Sequence, residues 1–333
     1  MSPDHPHRRD FIRLLGGAAG AWPLAARAQQ PERVRRVGLL MPFAENDPEA
    51  QRRLTVLRQT LATLGWTESH NLRFDYRWVA ADLNRIRTGA QELVGMTPDL
   101  VVVESTPATA ALQQATHSVP IVFLQAGDPV GFGFVASMAH PGGNLTGFTN
   151  YVPSMGGKWL EVLKEISPRL ARVGAVFDPR THTGQFWRTL ETAAPSLKLE
   201  LAKVPVHDVA ELERAIEGLA REAGGGLLVM PDAFTVSNRE LIVALTARHH
   251  LPAIYPFGSF AKGGGLVSYG IDSIDVYRRA AAYVDRILRG ANPGELPVEA
   301  PTKFELIVNL KTASALGLEI PPTVLTLADQ VIE

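Results

Sequence analysis

Arg36-Val37-Gly38-Leu39-Leu40-Met41-Pro42 and Arg172-Val173-Gly174-Ala175-Val176-Phe177-Asp178-Pro179 are two versions of one pattern: a basic residue, a short apolar run, then a turn at proline. The stretches downstream of each copy also match. Pro98-Asp99-Leu100-Val101-Val102-Val103 is answered by Gly225-Gly226-Leu227-Leu228-Val229-Met230. His117-Ser118-Val119-Pro120-Ile121-Val122 is answered by His249-His250-Leu251-Pro252-Ala253-Ile254. Val37 to Pro120 and Val173 to Pro252 span nearly equal lengths. Order and spacing together predict two similar lobes.

Within the first block, apolar runs alternate with helical spacing. Val37–Met41, Leu72–Val79, Leu100–Val103 and Ile121–Leu124 read as strands. Pro48–Leu64 reads as a helix, with Leu54, Leu57, Leu61 and Leu64 on one face and Gly65 as its stop. Asp82–Val94 is a helix capped by Asp82, and Pro107–Ala115 a third helix. This βαβα order predicts α/β lobes, each a doubly wound parallel sheet with helices on both faces. Pro141–Gly147 is a turn-rich junction between the blocks. Ser273–Leu288 reads as an amphipathic helix ending at Gly290, Phe304–Leu310 as a strand and Lys311–Leu316 as a short helix. The expected division is lobe 1 from 33–149 and 273–300, and lobe 2 from 150–272 and 301–333. Crossings near Asn150, Asp272 and Pro301 would form the hinge.

Composition narrows the function. The chain has 333 residues, 46% hydrophobic and 20% charged, enough for two buried cores. A formal charge of −1 and 7% aromatics argue against a nucleic-acid partner. There is no cysteine, which removes disulfides, thiolate metal sites and cysteine nucleophiles. Residues 1–28 read as an export signal of twin-arginine type. They hold Arg8-Arg9, a Gly/Ala-rich apolar stretch, and Ala26-Arg27-Ala28 before the expected cleavage. The expected product is periplasmic and free, since no cysteine follows to carry a lipid.

Catalytic motifs are missing. There is no G-x-S-x-G, H-E-x-x-H, Walker A loop or post-strand G-x-G-x-x-G. The adjacent pair His249-His250 is a poor chelate, because neighbouring helical residues point apart. No catalytic residue, metal or cofactor is therefore expected. The strand ends are more informative, because open parallel sheets bind ligands beyond their carboxyl ends. Ser105 and Thr106 stand where Pro107 opens a helix, a receptor for a carboxylate. Asp232, or failing it Asp128, would face a ligand ammonium; each also reads as a turn residue. Asp178 follows the first strand of the second block. Phe43, Phe257 and Tyr269 sit at or past strand ends as candidate walls, or as core.

Beyond these readings, His140-Pro141-Gly142-Gly143-Asn144-Leu145-Thr146-Gly147, Gly127-Asp128-Pro129-Val130-Gly131, Ser268-Tyr269-Gly270-Ile271-Asp272 and the stretch from Phe304 to Pro322 resemble a solute-binding family of ABC transporters. Its relatives bind aromatic and other amino acids on the type I periplasmic-binding-protein fold. The resemblance implies a monomer that closes two lobes on a small ligand, an amino acid or other small carboxylate, and delivers it to inner-membrane permease subunits. Ser105, Thr106 and Thr109 match the family's hydroxyl-bearing turn, and Asp128, Asp232 and Tyr269 fall at matching strand ends. Ala233 and Phe234 stand where relatives more often carry polar residues. Two other readings are open: a two-lobe sensor or regulator lacking a DNA-binding domain, and an α/β-hydrolase-like enzyme.

Overall fold

A strand buried on both faces reads as an unbroken apolar run. The central strands of both sheets are of this kind: Leu100–Glu104, Ile121–Ala126 and Gly225–Val229 are buried along their whole length. The structure, a computed structural model, describes residues 33–150, 152, 154–181 and 184–333, and the side chains of all of these except 184–186. The expected export signal lies outside the described residues.

The first sheet is wholly parallel, in the order β2-β1-β3-β4-β5. Its strands are β1 (Arg35–Met41), β2 (Leu72–Trp78), β3 (Leu100–Glu104), β4 (Ile121–Ala126) and β5 (Leu145–Thr149). Helices α1 (Pro48–Thr63), α2 (Leu83–Gly95) and α3 (Thr106–Ala115) connect them. The Asp47 and Asp82 side chains accept the first backbone N–H groups of α1 and α2. Gly147 in β5 has a φ of +151°, and a Cβ there would collide with the Phe123 carbonyl of the neighbouring strand. Only glycine fits that approach.

The second sheet has seven strands in the order β12-β11-β10-β9-β8-β6-β7. They are β6 (Arg172–Phe177), β7 (Glu200–Pro205), β8 (Gly225–Val229), β9 (Ala253–Tyr255), β10 (Val267–Ile271), β11 (Phe304–Asn309) and β12 (Gln330–Ile332). All its pairings are parallel except β10 with β11. Its helices include α4 (Ser154–Ile166), α5 (Gly184–Ser196), α6 (Val209–Ala220), the short α7 (Ala233–Ser237), α8 (Arg239–Arg248) and the short α9 (Gly258–Lys262).

One helix leaves its neighbours in sequence. α10 (Ser273–Leu288) follows β10 but packs on α1 and the first sheet. Its buried face, Val276, Tyr277, Ala280, Val284 and Ile287, has helical spacing. Tyr283 meets the Phe148 ring at 4.9 Å, and Trp66 Nε1 donates to Asp285 at 2.8 Å. The chain then returns through Glu299, which pairs with β5, to β11. α11 (Leu310–Ala315) and α12 (Pro322–Leu327) close the order. The strand at Gln330–Ile332 has no counterpart among the elements read from sequence. Among the described residues, no helix is long and apolar enough to cross a membrane, and no group of three or more His, Asp or Glu is arranged to hold a metal.

Candidate functional site

The carboxyl ends of both sheets face a cleft. On the side of the first sheet it is lined by Pro42, Phe43, Arg53, Glu104, Ser105, Thr106, Pro107 and Gln125, with Asn150 from the crossing that follows β5. From the second it is lined by Thr181, Pro231, Asp232, Ala233, Val236 and Phe257. The first wall is mostly polar and the second mostly apolar.

Three polar atoms in the first wall lack a partner. Ser105 Oγ, Gln125 Nε2 and Asn150 Oδ1 are buried without a hydrogen bond, and the residues are only 7%, 5% and 6% exposed. An unpaired buried polar group costs about 1–3 kcal/mol, a cost that an ordered water or a polar ligand group at this wall would relieve. Two of them also carry an unusual backbone: Ser105 has φ +90° and Gln125 φ +53°. Left-handed or more strained conformations in residues other than glycine persist where surrounding structure enforces them, and they cluster at binding sites.

Beside these atoms lies a buried charge cluster. Arg53, 1% exposed, donates from Nη1 to Glu104 at 2.7 Å and from Nε to Glu49 at 3.4 Å. Its guanidinium stands 5.2 Å from the Phe43 ring centre. The Tyr277 hydroxyl of α10 donates to the other Glu104 oxygen. Burial pushes the Glu104 carboxyl up from its ordinary value, opposed by Arg53 and by the Tyr277 hydrogen bond. Burial and the neighbouring Glu104 push the Tyr277 phenol well above its usual range.

Of the residues read from sequence, Phe43, Ser105, Thr106, Asp232 and Phe257 meet at the cleft. Their roles differ from expectation. Ser105 occupies the N-cap position of α3 but makes no side-chain cap bond. Thr106 Oγ1 accepts the Gly127 N–H at 3.0 Å, tying the β4 turn to the helix. Asp232 caps α7: its two oxygens accept the Thr235 N–H at 2.7 Å and the Asp178 N–H at 2.9 Å, within a capping box. It is a brace between two strand ends as well as part of the wall.

Thr109, Asp128, Asp178 and Tyr269 do not line the cleft. Thr109 is fully buried and donates to the Ser105 carbonyl at 2.7 Å, fixing the turn from within. Asp128 accepts the Gly131 N–H at 2.9 Å, the turn role. Asp178 holds Arg180 through two bonds of 2.7 Å. Tyr269 stacks on Phe304 at 6.0 Å, and its carbonyl accepts Trp159 Nε1 at 2.6 Å. Sequence reading passed over Arg53, Glu104, Gln125, Asn150 and Thr181. Two of these left a trace. Arg53 lies four residues before Leu57 on the apolar stripe of α1, and Glu104 ends a fully buried strand. Each is a charge where burial demands a partner.

Residues 45–332 match the family model of ABC transporter substrate binding protein. The chain belongs to this family. Such a match over most of the chain makes it a substrate-binding protein, a family defined by binding rather than by catalysis. A "Tyrosine-binding protein" from Clostridioides difficile (strain R20291) is 25% identical over 262 residues, covering 78% of this chain and 75% of the relative. Among solved structures, a conserved domain protein from Vibrio cholerae O1 biovar El Tor is 27% identical, with a TM-score of 0.83 over 90% of this chain and 100% of that one. The ABC domain from Streptococcus pneumonia in complex with L-Trp has a TM-score of 0.81 at 24% identity, over 90% of this chain and 99% of that one. The two-lobed α/β architecture is thus shared with these structures.

Proposed function

We propose that this substrate-binding protein holds a small amphipathic ligand, an amino acid or other small carboxylate, between its lobes and delivers it to an ABC importer. Lobe 1 is 33–149 with 273–300, lobe 2 is 150–272 with 301–333, and the hinge runs through the crossings near Asn150, Asp272 and Pro301. Residues 1–28 direct export, and the mature monomer works in the periplasm without cofactor or catalytic step.

One observation carries the ligand reading. Ser105 Oγ, Gln125 Nε2 and Asn150 Oδ1 are buried, unpartnered and gathered on one wall of one cleft. Together they offer donors and an acceptor to a polar head group. Pro231, Ala233, Val236 and Phe257 opposite give its apolar body a dry surface. The tyrosine and tryptophan named for two relatives have this division into a polar head and an apolar body.

The test is a thermal-shift screen of the mature protein against amino acids, their deaminated analogues and small organic acids. A ligand present at about 100 times its dissociation constant adds about 2.7 kcal/mol of stability. A panel in which no compound stabilises the protein at millimolar concentration would refute the reading. Export is tested separately: Arg8→Lys with Arg9→Lys should leave precursor in the cytoplasm, and normal periplasmic yield would exclude the twin-arginine route.

A further inference from the structure

Beside the cleft the two sides touch through a contact that its lining does not include. Asp47, the N-cap of α1, accepts the Glu49 and Ala50 N–H groups through Oδ1 at 3.0 Å. Its other oxygen, Oδ2, receives Arg239 Nη1 from the first residue of α8 at 2.7 Å. The two side chains are 9% and 14% exposed. Two residues earlier, the Ser237 hydroxyl donates to the Pro42 carbonyl at 3.3 Å. The neighbours Phe43 and Val236 are walls of the cleft, whereas Arg239 and Asp47 lie outside its lining.

We infer that Arg239 and Asp47 form a latch that favours the closed arrangement of the lobes on its own account, so that Arg239 sets ligand affinity without touching ligand. The inference rests on the proposed closure of the two lobes but not on the ligand's identity. A charge-assisted hydrogen bond shielded from water is among the stronger polar contacts and is little screened by salt. Asp47 is pre-oriented by its capping bonds, so the pair forms with one carboxylate already in place. Opening the lobes separates the partners and returns both charges to water. The latch therefore shifts the open–closed equilibrium, and any ligand that needs the closed form binds more tightly by the same factor.

The chain's lack of cysteine makes the test clean. Gln59→Cys on α1 and Arg214→Cys on α6 lie at exposed sites on the two lobes and can carry paired spin labels. Pulsed distance measurements on the ligand-free mature protein then read the populations directly. Arg239→Met should lower the closed-to-open ratio by roughly ten- to a hundred-fold, the range for one charge-assisted hydrogen bond. Asp47→Asn keeps a good capping residue and removes the charge, so it should act alike. The double variant should add little to either single one. Unchanged distance distributions in both single variants would overturn the latch, as would a parent protein with no closed fraction. Closure driven only by ligand would appear in the second result, and leaves the binding reading standing.

Discussion

Replacing Arg53 by methionine tests whether the cleft floor is a buried ion pair. Methionine keeps much of the stem's volume beside Phe43 but leaves Glu104 without its cation. Arg53 is 1% exposed and sits 2.7 Å from Glu104. Removing one partner of such a pair costs about 3–5 kcal/mol, because the other charge stays buried and uncompensated. The carboxylate can escape by taking up a proton. Burial already raises its pKa in the parent protein, and loss of Arg53 raises it further. A carboxyl whose folded pKa stands above the unfolded value of about 4.3 contributes its full stability below that value and loses it as pH rises through the folded pKa. Urea unfolding of Arg53→Met should therefore show a loss of about 3–5 kcal/mol at pH 7 that shrinks toward pH 5. Adding Glu104→Gln should restore most of the loss and flatten the pH profile, since the amide still accepts the Tyr277 hydroxyl. A single variant that loses less than about 1 kcal/mol, the range of an exposed pair, with no pH dependence would refute the reasoning.

Ser105→Gly should relieve the backbone at φ +90°, raising stability by about 1 kcal/mol, while weakening any ligand found in the screen; calorimetry and urea unfolding read the two effects apart. Asp232→Ala should cost about 1–2 kcal/mol of stability through the lost cap of α7 and its tie to the Asp178 N–H, and an unchanged unfolding midpoint would contradict the bracing role. Gly147→Ala should destabilise by at least about 1–3 kcal/mol, because β4 must move to admit the methyl group; thermal unfolding equal to the parent's would show that the strands can yield.

The lobes were legible because burial on both faces turns a parallel strand into a run such as Leu100–Val103, visible without any structure. Capping was legible for the same local reason: Asp82 opens its helix two and three residues from the N–H groups it accepts. The site was less so. Strand ends mark the rim of a sheet, but the turn after each one decides which side chain enters the cleft. Ser105 and Asp232 enter it, while Asp128 and Asp178, equally placed along the chain, fold back on Gly131 and Arg180. Gln125 and Asn150 gain meaning only from having no partner, a property of three-dimensional surroundings. The sequence shows Ser273–Leu288 as an amphipathic helix and nothing more; that the Tyr277 hydroxyl on it meets Glu104 depends on α10 packing beside α1, far from it in sequence.

That last arrangement governs the order in which the molecule can be assembled. A nascent chain emerging from the ribosome exposes every strand of the first sheet by residue 149, yet the helix that covers its face and satisfies Glu104 is not made until residue 288. Until then the half-built lobe presents bare apolar surface and a buried acid lacking one of its two donors. A fragment ending before Ser273 should accordingly be prone to aggregation rather than a working half, and mixing it with a synthetic 273–300 peptide should recover soluble material. The first sheet's unit is thus non-contiguous, finished only after five of the seven strands of the second sheet have been translated.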